Sequence, residues 1–401
     1  MSYYLGPGRP LTSLSTWQEL KAAAAGGLLS ETQWCEVKEM PSQSSKASNV
    51  ELAKDLASLS VDGGLLVYGV ADKSFEVVGC DLTNFETRIS QVAATRVTPP
   101  LSPVLNPPIP CPDDDGKHVL IVSVPASPVA PHMVDGSYWG RSSDGKRKLA
   151  DPEVRRLIQA RENAEEKFGQ ILDDLVRNDP LDDFVEDMPT GNGHVYFVAQ
   201  PCAPVLAKPI EMDELRNVLA NLRQSPSYEL LAGCTYNAHD PSGVGLRSHT
   251  DAVSASDERD LAQVGIADNF IVKAVYGGAS THRTCPSGPG FYVPINSVVA
   301  FVAQCLNLVH HVGTSTGYQG EWRVGVHLTH LRGASLNSDD ISFQPVPLRT
   351  DELRRVEVIQ PTSWTDPGAD AGDQAVILLR GLLRGLNIPN EKYVDLVHRS
   401  Y

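Results

Sequence analysis

The sequence predicts an α+β protein of two domains, and three observations carry that expectation. Strand-like and helix-like runs alternate in mixed order over the first 164 residues. A polar, acidic interval with two prolines follows at 177–190 and reads as a linker. Acid is also unevenly spread. Residues 1–163 carry 16 Lys+Arg against 19 Asp+Glu, and residues 164–401 carry 18 against 30. The expected organisation is a helical lead-in over 1–27, a first domain over 28–164, a helix end and acidic linker over 165–190, and a second mixed α/β domain over 191–401.

Each element has a local reason. Thr16 to Ala25 reads as a short helix that ends at Gly26-Gly27. Trp34 to Lys38 alternates as a strand and is bounded by Pro41. Ser48 or Asn49 can cap a helix whose apolar positions Val50, Leu52, Ala53, Leu56, Ala57 and Leu59 keep helical spacing. Gly63-Gly64 turns the chain into the buried strand Leu65–Val70. Phe75–Val78 is expected to return as a hairpin partner, and Phe85 to Val97 as a helix. His118–Val124 and Ser137–Arg141 are further strands. Asp151-Pro152-Glu153 starts a helix reaching about Val176. In the second domain, His194–Ala199, Phe270–Tyr276 and Trp322–Leu331 read as strands, and Val298–His310 and Gln374–Leu386 as helices.

Composition excludes several classes. Of 401 residues, 41% are hydrophobic and 21% charged, as in a globular protein. No apolar run is expected to reach the roughly 18 residues of a membrane span, and the first residues lack a signal-peptide pattern. Seven scattered cysteines without a Cys-x-x-Cys pair suggest reduced thiols and a cytoplasmic home, not a zinc knuckle. A net charge of −15 rules out a generic basic face, so any polyanion is expected at a local patch of the nearly neutral first domain.

The chemistry-bearing motif is Glu31-x-x-x-x-Glu36-x-Lys38. Side chains alternate along a strand, so Trp34, Glu36 and Lys38 share one face while Cys35 and Val37 pack the other. A carboxylate there can ligate a hard cation while the lysine faces a phosphate. Asp72 adds a carboxylate if the Leu65–Val70 strand lies beside the first. A solvated Glu–Lys ion pair is the plain alternative.

Taken in order, Glu31…Glu36-Val-Lys38, Leu52…Leu59, Gly63-Gly64-Leu-Leu-Val-Tyr-Gly-Val-Ala-Asp72, Val77-Val-Gly-Cys80, Val119–Pro125 and Ser137-Tyr-Trp-Gly-Arg141 resemble the Schlafen AlbA-type domain over residues 28–160 or so. The resemblance implies a small mixed sheet with flanking helices and a role with RNA or DNA. It further implies that Glu31, Glu36 and Asp72 form a metal-dependent RNA-cleaving centre holding Mg²⁺ or Mn²⁺, with Lys38 steadying the phosphate. Non-catalytic binding is the alternative. Val37 and Ala71 depart from the family pattern, and Ala71 leaves Asp72 as the only acid after that strand. The nuclease core in the family has two lobes. After residue 164 the Glu-x-Lys spacing recurs only at Glu165–Lys167, within the helical run, so no second strand of this kind follows and a full clamp implies a homodimer.

Arg141, Lys146, Arg147 and Lys148 form the densest basic cluster, suited to gripping phosphates, and Trp139 is placed to stack on a base. A solvated loop beside a core aromatic weighs equally. Gly63-Gly64 lacks the Gly-Lys-Ser/Thr of a P-loop, so no ATP site is expected. His310, His311, His327 and His330 gather in the sequence without a spacing that favours one metal. Leu378–Arg384 is amphipathic, and the acidic balance favours packing or dimerisation over a membrane surface.

Overall fold

The computed structural model describes residues 2–6, 9, 12–142, 145–182, 192–203, 205, 207–221, 230–238, 242–250, 258–285, 288–336 and 346–389. It divides into two compact units. The first comprises Met1–Glu166, Cys202–Ala207 and Thr314–Glu321; the second comprises Lys167–Pro201, Lys208–Gly313 and Trp322–Tyr401. Most of the linker expected at 177–190 lies outside the described residues.

In the first unit, β1 (Ser2–Tyr3) pairs antiparallel with β2 (Thr12–Ser13), and α1 (Trp17–Ala25) follows. A capping box starts α1, in which Glu19 N–H donates to Thr16 Oγ1 and Glu19 Oε2 accepts from Thr16 N–H. Then come β3 (Cys35–Lys38), α2 (Lys46–Leu59) and β4 (Gly64–Tyr68). Ser45, not Ser48 or Asn49, caps α2, and Ser48 closes the box from the third helical position. Next are α3 (Phe85–Arg96), β5 (Val104–Leu105), β6 (Ile109–Cys111) and β7 (Asp114–Val124). The sheet runs β3-β4-β7-β5, with β6 also on β7. Strands β3 and β4 are parallel; the other pairs are antiparallel. A separate antiparallel ribbon has the order β10-β9-β8, from β8 (Met133–Val134), β9 (Ser137–Ser142) and β10 (Gly145–Lys148). The helix α4 then begins at Asp151 and ends at Arg177.

The alternation expected of these strands sorts the core into two layers. Cys35, Val37, Leu65 and Val67 pack with Trp17, Leu20 and Ala23 of α1. Leu66, Tyr68, Leu120 and Val122 pack with Leu52, Leu56 and Leu59 of α2 and Phe85, Ile89 and Val92 of α3. Register puts Glu36 opposite Leu66 and Lys38 opposite Tyr68, so both polar side chains share the α2 side of the sheet. Phe75–Val78 does not form the expected strand. A single bridge, Val70 to Val77, replaces the hairpin, and Phe75 takes a left-handed φ of 54° that a bulky residue rarely adopts within a strand.

The second unit is built on β11 (Gly193–Pro201), α5 (Met212–Asn221), β12 (Tyr236–Ala238), β13 (Gly243–Arg247), β14 (Ala262–Ala267), β15 (Val272–Cys285) and β16 (Gly288–Val293). These are followed by α6 (Ile295–Thr316), β17 (Trp322–Leu328), β18 (Ser335–Leu336), β19 (Leu353–Ile359) and α7 (Pro367–Gly385). Its main sheet has the order β12-β13-β14-β15-β11-β17-β19, all antiparallel. Helix α6 corrects one expectation. By length and composition it is apolar enough to cross a membrane. Its Val298, Val299, Phe301, Val302 and Leu306 are fully buried, the pattern of a core helix. Together the units bear out an α+β fold with a mixed sheet and flanking helices in the first.

Candidate nucleic-acid interface

The site grows from one fact of strand geometry: β3 turns Glu36 and Lys38 toward α2 instead of into solvent. Glu36 is 8% exposed, so its charge needs partners. Lys38 Nζ donates to its Oε1 at 2.6 Å, and Arg141 Nη2 donates to its Oε2 at 2.5 Å. Arg141 Nη2 also reaches the Thr32 carbonyl at 3.1 Å. Burial alone would push the Glu36 carboxyl up. The hydrogen bonds and charges of Lys38 and Arg141 outweigh it and hold the group below its ordinary value of 4.5.

A second pair extends the network. Asp55, on the buried face of α2, accepts from Lys146 Nζ at 2.5 Å, and Lys146 also pairs with Glu51 at 3.1 Å. Burial raises the Asp55 pKa, although Lys146 and Lys38 oppose it. Burial would lower Lys38 and Lys146, yet the carboxylates around each raise them instead. Two cations and two carboxylates from β3, α2, β9 and β10 are thus desolvated with Lys38 beside them. Asp55 and Glu51 were missed by sequence reasoning. The available signal was an acid on the apolar stripe Leu52–Asp55–Leu56–Leu59, where helical spacing calls for a core residue.

The expected centre is only partly assembled. Glu31 is exposed, and its carboxyl is pushed up by burial and by the charge of Glu36, with Asp72 adding weakly. Asp72 is exposed on the turn after β4, and its Oδ1 accepts from the Glu39 N–H at 3.3 Å. The three carboxylates therefore share one region. Among the described residues, however, no three His, Cys, Asp or Glu side chains are grouped to hold a metal ion. With both Glu36 oxygens on cations, the donor set as folded does not fit Mg²⁺ or Mn²⁺.

The basic cluster also differs from expectation. Arg141 is buried at 6% exposure with its guanidinium on Glu36 and the Thr32 carbonyl, so it does not join Arg147 and Lys148 in a solvent-exposed cluster. Arg147 is spoken for by a bidentate pair with Glu153, at 2.9 and 2.6 Å. Lys148 is exposed, with Nζ 5.9 Å from the Trp139 ring centroid. Lys54, which pairs with Glu51, lies 4.8 Å from the same ring. Trp139 is half-buried against the α2 core and donates Nε1–H to the Val134 carbonyl at 3.4 Å, so base stacking would have to displace lysines. In the second unit the His310 and His311 rings lie edge to face, with centroids 5.8 Å apart. His327 pairs with Glu352 at 3.2 Å and His310 with the Pro361 carbonyl at 2.8 Å.

Acid dependence tests the network. The Glu36 contribution is complete above 4.5 and is lost as pH falls through its lower folded value. Asp55 acts oppositely. Its contribution is present below 3.8 and fades as pH rises through its raised value. The urea midpoint is expected to fall less steeply in Glu36→Gln than in the wild type as pH is lowered past 4.5. Superimposable curves would refute this account.

The first unit is thus a small mixed sheet whose parallel pair turns a Glu-x-Lys face toward a helix and a basic ribbon. Residues 31–150 match the family model described as Schlafen, AlbA_2. That family suggests a nucleic-acid-related function. No curated protein matches the chain. Among solved structures, the DIP2311 protein from Corynebacterium diphtheriae matches at 11% identity with a TM-score of 0.24, over 94% of this chain and 63% of that one. The chain therefore spans less than two thirds of that structure.

Proposed function

We propose that residues 31–150 bind RNA or DNA without cleaving it, through the side of the domain that carries β9 and β10. The observation that supports this reading is the double engagement of Glu36. The central carboxylate of the expected metal set is neutralised by Lys38 and Arg141, which makes it a structural anchor for a basic ribbon. The exposed charges of Arg147, Lys148, Arg155 and Arg156 then supply backbone contacts without sequence readout. The lack of a second Glu-x-Lys strand makes a homodimer the proposed binding form, with the acidic second unit as its sensor or dimerisation part.

The test is fluorescence anisotropy with labelled single- and double-stranded RNA and DNA. Binding is expected to weaken steeply with salt, to fall about tenfold in Arg147→Gln/Lys148→Gln, equivalent to about 1.4 kcal/mol, and to persist in Glu36→Gln. Binding indifferent to salt and to the double change would sink the proposal.

A second reading, metal-dependent endoribonuclease action at Glu31, Glu36 and Asp72, is favoured by the electrostatic coupling of these three carboxylates. It requires Glu36 to leave its two cations. Incubating an RNA panel with Mn²⁺ and either the wild type or Glu36→Gln decides it. Cleavage by the wild type alone supports it; no difference between the two removes it.

A further inference from the structure

Arg141 has more donors than its surroundings accept. Its side chain is 2% exposed, and Nη2 alone serves Glu36 and the Thr32 carbonyl. Nε and Nη1 are buried and meet no hydrogen-bond acceptor among the described residues. A guanidinium offers five N–H donors and cannot shed its proton, so buried orphans on it are costly and rare. Holding Glu36 does not account for them. That carboxylate already has Lys38 on its other oxygen and stays compensated if Arg141 turns part of its charge elsewhere.

The place where a missing acceptor can enter is a cleft of about 480 Å³ that Arg141 lines together with Gln33, Ser142, Arg147 and Arg156. The volume falls within the range of small-ligand pockets. Arg147 is held toward the cleft by Glu153, and Arg156 is exposed on the same helix, one turn further on. Three arginines against Glu153 and Asp62 make the cleft a place for an anion. Arginine recognises tetrahedral oxyanions with more than one N–H at a time, which lysine cannot do.

We infer that Arg141 is a phosphate anchor: a phosphodiester group of bound nucleic acid enters the cleft, takes the unpaired guanidinium donors, and is flanked by Arg147 and Arg156. This rests on the nucleic-acid reading above and assigns it a contact point. No covalent step is involved, and Glu36 remains on Lys38.

Arg141→Lys keeps the charge and removes the planar donors. Affinity for a 20-nucleotide single-stranded RNA or DNA, measured on the full chain, is expected to drop about tenfold or more. The slope of log affinity against log salt should shrink by about one phosphate contact. Inorganic phosphate and pyrophosphate are expected to raise the melting temperature of the wild type and not of Arg141→Lys. Should Arg141→Lys melt far below the wild type, Arg156→Gln on the open wall replaces it, with the same expected direction. Unchanged oligonucleotide affinity in the folded variant overturns the anchor while leaving nucleic-acid binding intact. Phosphate protection that Arg141→Lys abolishes, without any oligonucleotide binding, retains the anchor and removes the nucleic-acid reading. Neither effect in the wild type overturns both.

Discussion

Glu36→Leu is expected to lower the unfolding free energy of the first unit by about 3–5 kcal/mol, the usual consequence of stranding one member of a buried ion pair. The buried charge left behind is Arg141, which then keeps only the Thr32 carbonyl. Adding Arg141→Met should recover most of the loss, because the pair as a whole has little net worth against apolar side chains of similar size. Urea unfolding of the wild type, both single variants and the double variant gives the coupling directly. A single-variant loss below about 1 kcal/mol, within the range of exposed pairs, would show that water reaches Glu36 and that it is not desolvated.

Gly64→Ala is the second large effect. A Cβ at Gly64 would lie 2.6 Å from the Trp34 carbonyl oxygen and 2.8 Å from Leu59 Cδ2. The Leu59 methyl can yield, but the carbonyl cannot, because it accepts the Leu65 N–H at 2.8 Å in the parallel pair of β3 and β4. Overpacking of this kind costs about 1–3 kcal/mol, and here the upper end is expected since backbone must move. Wild-type stability by urea unfolding would refute the close approach.

Much of the first unit was legible in its sequence because strand alternation is a local signal. Placing Glu36 and Lys38 on one face and Cys35 and Val37 on the other needed only period-two spacing, and the layers follow it. The helix limits moved by a few residues, as when Ser45 displaced Ser48 as the α2 cap, since either serine can accept from a helix N–H. What local pattern does not encode is which distant charge meets which. Arg141 lies 105 residues from Glu36, and nothing around Tyr138–Ser142 distinguishes a buried arginine from a solvated one. The same limit hid Lys146 and Asp55. Asp55 did break the apolar stripe of its helix, the one mark in the sequence of a polar core.

The pair of Asp55 and Lys146 constrains how the unit assembles. The two residues are 91 positions apart, on α2 and on the last strand of the ribbon. Helix α2 cannot bury its inner face without taking Asp55 out of water; Lys38 of β3 offsets part of its charge, and the directly bonded cation arrives only when β10 docks. Closing so long a loop is slow compared with forming a helix. Full burial of this core therefore depends on the β8–β10 ribbon as much as on the sheet, and a truncation that removed the ribbon would leave Asp55 without its hydrogen-bonded cation.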